Sequence, residues 1–154
     1  MEANSLINKE LILLDFAADD KFDLLNKLSS LLIQKGYAKA SFKNAVIERE
    51  KVFPTGLITK GANVAIPHTD PEHVIKPAII FAKLKDPITF KEMGSGEKDI
   101  DSELIFMLAI NNPKKQVTTL SKLMSIFSNE ETLTKFKNSN EASEILELLN
   151  KELS

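Results

Sequence analysis

Short uninterrupted apolar runs alternate along this chain with stretches whose apolar residues recur every three or four positions. Leu11-Ile12-Leu13-Leu14 suits a buried strand. From Asp20 to Lys35, Phe22, Leu25, Leu28 and Leu32 share the spacing of one helical face. Asp19 and Asp20 supply the cap and first-turn charge of that helix, and Gly36 stands where a left-handed C-terminal cap belongs. A second helix is expected over Ser41 to Lys51, stopping before Pro54, which cannot continue it. Val64-Ala65-Ile66, closed by Pro67, predicts a short strand. The runs Ala78 to Ala82 and Leu104 to Ile110 predict central strands covered on both faces. Ile88-Thr89-Phe90 predicts a shorter edge strand.

Asn112-Pro113 has the order of a cap followed by proline at the first helical position. The helix it opens is expected to bury Val117, Leu120, Leu123, Met124 and Phe127. A short helix from Glu130 to Lys137 and a last one from Glu141 to Leu153 complete the chain, the latter with Ala142, Ile145, Leu146, Leu149 and Leu153 on one face. Strands interleaved with helices define an α/β class. Connections of uneven length favour a mixed β-sheet of about five strands flanked by helices.

Composition removes several alternatives. At 154 residues the chain is expected to form a single domain over 1–154. With no cysteine, thiolate metal sites, disulfides and a cysteine nucleophile are excluded. A formal net charge of −2, without a basic stripe, speaks against nucleic acid as a partner. The longest apolar run, Leu104 to Ile110, falls far short of the ~20 residues that span a bilayer. Glu2 and Glu10, without a long apolar core between them, do not read as a secretory signal, so a cytoplasmic location is expected.

Chemistry has few candidate residues. There are two histidines, His68 and His73, and one arginine, Arg49, among nineteen lysines. A guanidinium grips a phosphate or carboxylate through two parallel bonds, which an ammonium cannot do; a surface pair with Glu48 is the plainer reading of Arg49. His68 follows Ile66-Pro67 at the end of a strand, where ligand sites of α/β sheets gather. A neutral imidazole there is a competent nucleophile near pH 7. Thr55 and Thr59, with Gly56 and Gly61, form a segment able to cradle an oxyanion or simply to turn. His68, His73, Asp70 and Glu72 make a cramped metal cage with two prolines among them, and no metal or other cofactor is expected. Gly94-Ser95-Gly96 lacks the spacing of a nucleophile elbow and reads as a flexible loop.

Taken together, Glu48-Arg49-Glu50-Lys51-Val52-Phe53-Pro54-Thr55-Gly56 and Val64-Ala65-Ile66-Pro67-His68 resemble the IIA component of the sugar phosphotransferase system, in its mannitol/fructose-type superfamily. The likeness extends over essentially the whole chain. Phe53-Pro54-Thr55-Gly56, His73, Asn112-Pro113 and Gln116 are most similar to the galactitol-type branch. The resemblance implies that His68 accepts a phosphoryl group at Nε2 from phospho-HPr and passes it to a cysteine of a IIB component. A membrane IIC component would then couple transfer to uptake of a sugar alcohol such as galactitol. It further implies that Arg49 stabilises the phosphoryl oxygens. Gln116 stands where mannitol- and fructose-type relatives carry a second histidine, so it is an accessory, as are Thr55, Gly56 and His73. Thr69 stands where relatives carry Gly or Cys. Phe53 and Ile58 are candidates for a docking surface. A regulatory IIA-like module, signalling through phosphorylation-dependent binding to a target protein, is the alternative; a metal-dependent hydrolase using His68, His73 and Asp70 is a third.

Overall fold

Residues 78–109 supply two long apolar strands, and the rest of the molecule is layered on them. The structure is a computed structural model and describes residues 6–153. After a 3-10 turn at Lys9–Leu11, the elements are β1 (Ile12–Phe16), α1 (Lys21–Gln34), α2 (Ser41–Val52), β2 (Gly56–Leu57) and β3 (Val64–Ala65). A second 3-10 turn (Pro71–His73) leads to β4 (Ala78–Lys91), β5 (Asp99–Ala109), α3 (Pro113–Phe127), α4 (Glu130–Asn138) and α5 (Ala142–Leu153). Among the described residues the strands form one five-stranded sheet in the order β1-β4-β5-β3-β2. β1–β4 and β3–β5 pair parallel; β4–β5 and β2–β3 pair antiparallel. This is the expected mixed sheet.

Strand alternation divides the core in two. Ala78, Ile80, Ala82, Ile105, Met107 and Ala109 pack with Leu24, Leu25, Leu28 and Leu32 of α1 and Phe42 and Val46 of α2. Ile79, Phe81, Leu104, Phe106 and Leu108 face the other way, onto Leu123, Ile126, Phe127, Leu133, Phe136, Ile145 and Leu149 of α3, α4 and α5. The Phe81 and Phe106 rings meet edge to face at 5.1 Å, and Phe136 closes on both. Burying each such ring contributes about 1.5–3 kcal/mol.

Caps follow the local rules. Asp20 accepts from the Asp23 amide at 2.8 Å to open α1, and Asn112 accepts from the Lys115 amide at 3.1 Å to open α3. Gly36 takes the left-handed conformation, φ +82°, just past α1.

Four expectations need correction. Ile88-Thr89-Phe90 is not a separate edge strand but the continuation of β4, paired with β5 through Ile88–Ser102 and Phe90–Ile100. Pro87 interrupts the pairing between Lys83 and Ile88 without ending the strand, because it lies past Leu84, the last residue that β1 pairs. Phe22 is 37% exposed, and Leu24 takes its place in the core. Its position in the first turn of α1 carries its ring out between Lys21 and Lys51, whose ammonium groups lie 5.2 and 5.6 Å from the ring centre. On α3, Val117 and Met124 are exposed, while Thr119 and Ile126 join Leu123 and Phe127 inside. The buried stripe is turned about the axis because α3 packs on α4 and α5 as well as on the sheet. Finally, Leu11 belongs to the 3-10 turn, so β1 starts and ends later than the apolar run does.

Candidate functional site

The parallel strands β3 and β5 end side by side, and the chain turns there toward α3. Past β3 the Pro67 carbonyl accepts from the Leu108 amide at 3.0 Å, which holds the next residue, His68, at the sheet's rim. Proline offers no amide of its own to continue the ladder. His68 is half-buried. Its Nδ1 lies 2.7 Å from the Ile66 carbonyl oxygen. A carbonyl only accepts, so Nδ1 carries the ring proton and Nε2 keeps its lone pair. Burial pushes the His68 pKa below its ordinary value and the Arg49 charge adds to this, while the Ile66 carbonyl and Asp70 pull the other way. The ring is therefore neutral at pH 7, with its nucleophilic nitrogen bare.

Arg49 comes from the last turn of α2. Its guanidinium carbon lies 5.0 Å from the Phe53 ring centre, and Nη1 is 3.8 Å from Asp70 Oδ1. Its Nε is buried with no hydrogen-bond partner among the described residues. A guanidinium with a donor to spare, whose field reaches His68, suits an anion arriving at that ring.

Gln116, on the first turn of α3, donates from Nε2 to the Thr69 carbonyl at 3.1 Å, and so ties that helix N-terminus to the residue after His68. The Thr55 amide and hydroxyl both point to Glu50: the amide lies 2.7 Å from Oε2, and the hydroxyl 2.9 Å from Oε1 and 3.2 Å from Oε2. Both donors are thus taken up inside the protein. At Gly56 a Cβ would meet the Lys91 carbonyl oxygen at 2.7 Å, so glycine serves the close approach of β2 to the end of β4. His73 bonds Ser41 Oγ through Nδ1 at 2.8 Å, at the start of α2. Arg49 is eight residues further along that helix, about 12 Å at 1.5 Å per residue, so His73 and the guanidinium sit at opposite ends of α2. Phe53 is 58% exposed, and Val52, Ile58 and Val117 are exposed with it. Among the described residues no three of His, Asp and Glu converge as a metal cage, and no helix is long and apolar enough to cross a membrane.

Glu50 is the residue that reading the sequence overlooked. It is 2% exposed, and burial pushes its carboxyl up to about 7 against the two Thr55 bonds and the charges of Lys21 and Arg49. The available signal was spacing: Phe42, Val46 and Glu50 recur every four residues and all three are buried.

A half-buried neutral imidazole at a strand end, within the field of a guanidinium that has a donor to spare, makes an α/β domain fit to hold a phosphoryl group. Residues 5–152 match the family described as "Phosphoenolpyruvate-dependent sugar phosphotransferase system, EIIA 2", and the chain belongs to it. EIIA components are phosphotransferases that act through a phosphohistidine. The chain is 27% identical over 101 residues to the galactitol-specific EIIA component of Escherichia coli K12, covering 66% of this chain and 67% of that protein. It matches the fructose-specific EIIABC component of Bacillus subtilis and a mannitol-specific EIICBA component of Buchnera aphidicola at 25% and 28% identity, spanning only 23% and 22% of their lengths. Among solved structures, the nitrogen regulatory protein IIA-Ntr of Neisseria meningitidis is 25% identical with a TM-score of 0.79, covering 97% of this chain and 99% of that one. The mannitol IIA of Escherichia coli, solved in complex with phosphorylated IIB, shares the fold at 24% identity and a TM-score of 0.75, covering 95% and 99%.

Proposed function

We propose that this chain is a phosphocarrier of sugar uptake in which His68 accepts a phosphoryl group from phospho-HPr and passes it to a cysteine of a IIB component. The observation that carries the proposal is the 2.7 Å bond from His68 Nδ1 to the Ile66 carbonyl, which leaves Nε2 as the attacking atom. In the first transfer the Nε2 lone pair forms a bond to phosphorus. The donor's P–N bond breaks, and its electron pair returns to the donor imidazole. Positive charge then spreads over the His68 ring, and the Ile66 carbonyl facing Nδ1–H accommodates it. In the second transfer a cysteine thiolate attacks the phosphorus, the P–N bond to His68 breaks, and the ring returns neutral. Such transfers need placement and charge compensation more than covalent help. Arg49 supplies the compensation at the phosphoryl oxygens, trading its long link to Asp70 for them, and the α3 N-terminus favours the same charge.

The finer reading is a galactitol-type carrier, a single domain over 1–154, working in the cytoplasm beside a membrane IIC component. One sheet with a core on each face supports the single domain. The galactitol-specific relative and Gln116 support the sugar. Phospho-HPr should add one phosphate per chain, the His68→Ala variant none, and His73→Ala one; label persisting on His73 alone overturns the assignment. The likeness to a nitrogen regulatory protein favours a second reading, a regulatory module. Passage of phosphate from the labelled chain to a galactitol-type IIB cysteine supports the carrier, and retention with every sugar-specific IIB supports the regulator.

A further inference from the structure

We propose that Glu50 and Thr55 are positioning residues for phosphoryl transfer: together they pin the Ile66 backbone that holds the proton on His68 Nδ1. The proposal rests on His68 being the acceptor. The main-chain ladder between β2 and β3 pairs Leu57 with Val64 and Gly56 with Ala65. The next pair is Thr55 with Ile66, and there the Ile66 amide turns to a side chain, donating to Thr55 Oγ1 at 3.1 Å. That hydroxyl has one proton, and it goes to Glu50. Its lone pair is thereby aimed at Ile66, and the Thr55 amide, 2.7 Å from the same carboxylate, fixes the backbone that carries it.

Ile66 is fully buried, so no water can replace this acceptor. Held at its amide by Thr55 and followed by Pro67, whose carbonyl β5 holds, Ile66 has little freedom to rotate its own carbonyl away from His68. The four groups form one directed series, from carboxylate to hydroxyl to amide and on through the residue to the imidazole. A carboxylate whose only task was to close the loop would need the Thr55 amide alone. Here the hydroxyl is recruited as well and relayed eleven residues onward.

The test uses Thr55→Val, which keeps the shape and removes the hydroxyl, with Thr55→Ser as rescue and Glu50→Gln as an independent break. Imidazole nitrogen NMR of the unphosphorylated protein reads the tautomer, and phospho-HPr labelling reads kcat and KM. In the wild type His68 should show a single tautomer with the proton on Nδ1. In Thr55→Val the tautomers should mix and kcat should fall about ten-fold, the loss expected of one buried hydrogen bond, with KM within about two-fold. Thr55→Ser should restore both readouts. A folded Thr55→Val, or a folded Glu50→Gln where the first does not fold, with wild-type tautomer and wild-type kcat overturns the proposal. A wild-type chain that takes no label at His68 overturns the acceptor assignment instead, while the tautomer measurement still judges the positioning.

Discussion

Arg49 sits over the Phe53 ring, its guanidinium carbon 5.0 Å from the ring centre, while Nη1 reaches only to within 3.8 Å of Asp70. The ion pair is long and part-solvated, the kind that contributes about 0–1 kcal/mol. The ring contact steadies the guanidinium, whereas the carboxylate is easily exchanged for phosphoryl oxygens. Arg49→Lys keeps the charge and loses the fork. Phospho-HPr labelling of that variant should slow by about ten-fold or more, the scale of one lost charge-assisted bond, with the melting temperature nearly unmoved. A rate equal to wild type would remove Arg49 from the transfer step.

His68 should titrate below 6.5, the direction that burial and Arg49 impose. The sign for stability follows from the same shift. Above pH 6.5 the ring is neutral in folded and unfolded chains alike and its full contribution is present; as pH falls through the lowered folded value, the unfolded state takes up the proton first and that contribution is lost. Following the His68 ring resonance by NMR gives the midpoint directly. Arg49→Ala should move that midpoint upward, and a downward move would contradict the electrostatics of the site.

Glu50 tilts the pH profile the other way. Its carboxyl binds a proton near pH 7 when folded, against an ordinary value of 4.5. Between those values the native state holds more proton than the unfolded one, so stability falls as pH rises. Glu50→Gln removes that titration, and making it in a His68→Ala chain keeps any change at the histidine out of the comparison. Relative to the His68→Ala chain, the double variant should gain on the order of 1–3 kcal/mol between pH 4.5 and pH 8 in urea unfolding. An equal gap at both pH values would show that the buried carboxyl titrates normally.

Much of this was legible in the chain, and where it was not the reason is tertiary. Asp20, Asn112-Pro113 and Gly36 act within a turn of their own backbone, so type and position sufficed. The runs at Ala78 and Leu104 betray burial on both faces because no residue in them tolerates water. His68 was marked by the proline before it, and Arg49 by being the chain's one arginine. Glu50, by contrast, is one charge in Glu48-Arg49-Glu50-Lys51, and only its four-residue spacing from Phe42 and Val46 separates the buried one from its neighbours. Its fate is decided by Thr55 folding back across the end of α2. Phe22 and Val117 failed for the mirror reason, since helical spacing admits more than one stripe and packing partners choose among them. The extent of β4 was hidden because Pro87 reads as an end, though a strand without a neighbour on that side passes through it.

Gly56 packs where no side chain fits, with Lys91 O, Phe90 Cβ and Ile100 Cβ all within 3.3 Å of where its Cβ would stand. The Lys91 contact is to backbone, so relief requires β2 or the end of β4 to move. Gly56→Ala should cost about 1–3 kcal/mol in unfolding experiments, the range for overpacking a tight site. Unchanged stability would mean that β2 shifts freely, and would weaken the case for a rigid Thr55.

Gln116 gives its amide to the Thr69 carbonyl and so fixes the backbone that follows the acceptor. It has no lone pair basic enough to take a phosphoryl group, so its contribution is confined to one hydrogen bond and the polarity it lends the helix N-terminus. Gln116→Ala should then slow labelling of His68 by about two- to ten-fold, the kinetic equivalent of a single net hydrogen bond. Gln116→Glu cannot donate at neutral pH and places negative charge where the phosphoryl group must arrive, so it should slow labelling further. Lowering the ionic strength should widen the gap between Glu and Ala, because screening weakens the repulsion that separates them. If the two variants behave alike at every salt concentration, Gln116 acts on the Thr69 loop alone and lies outside the field of the incoming phosphate.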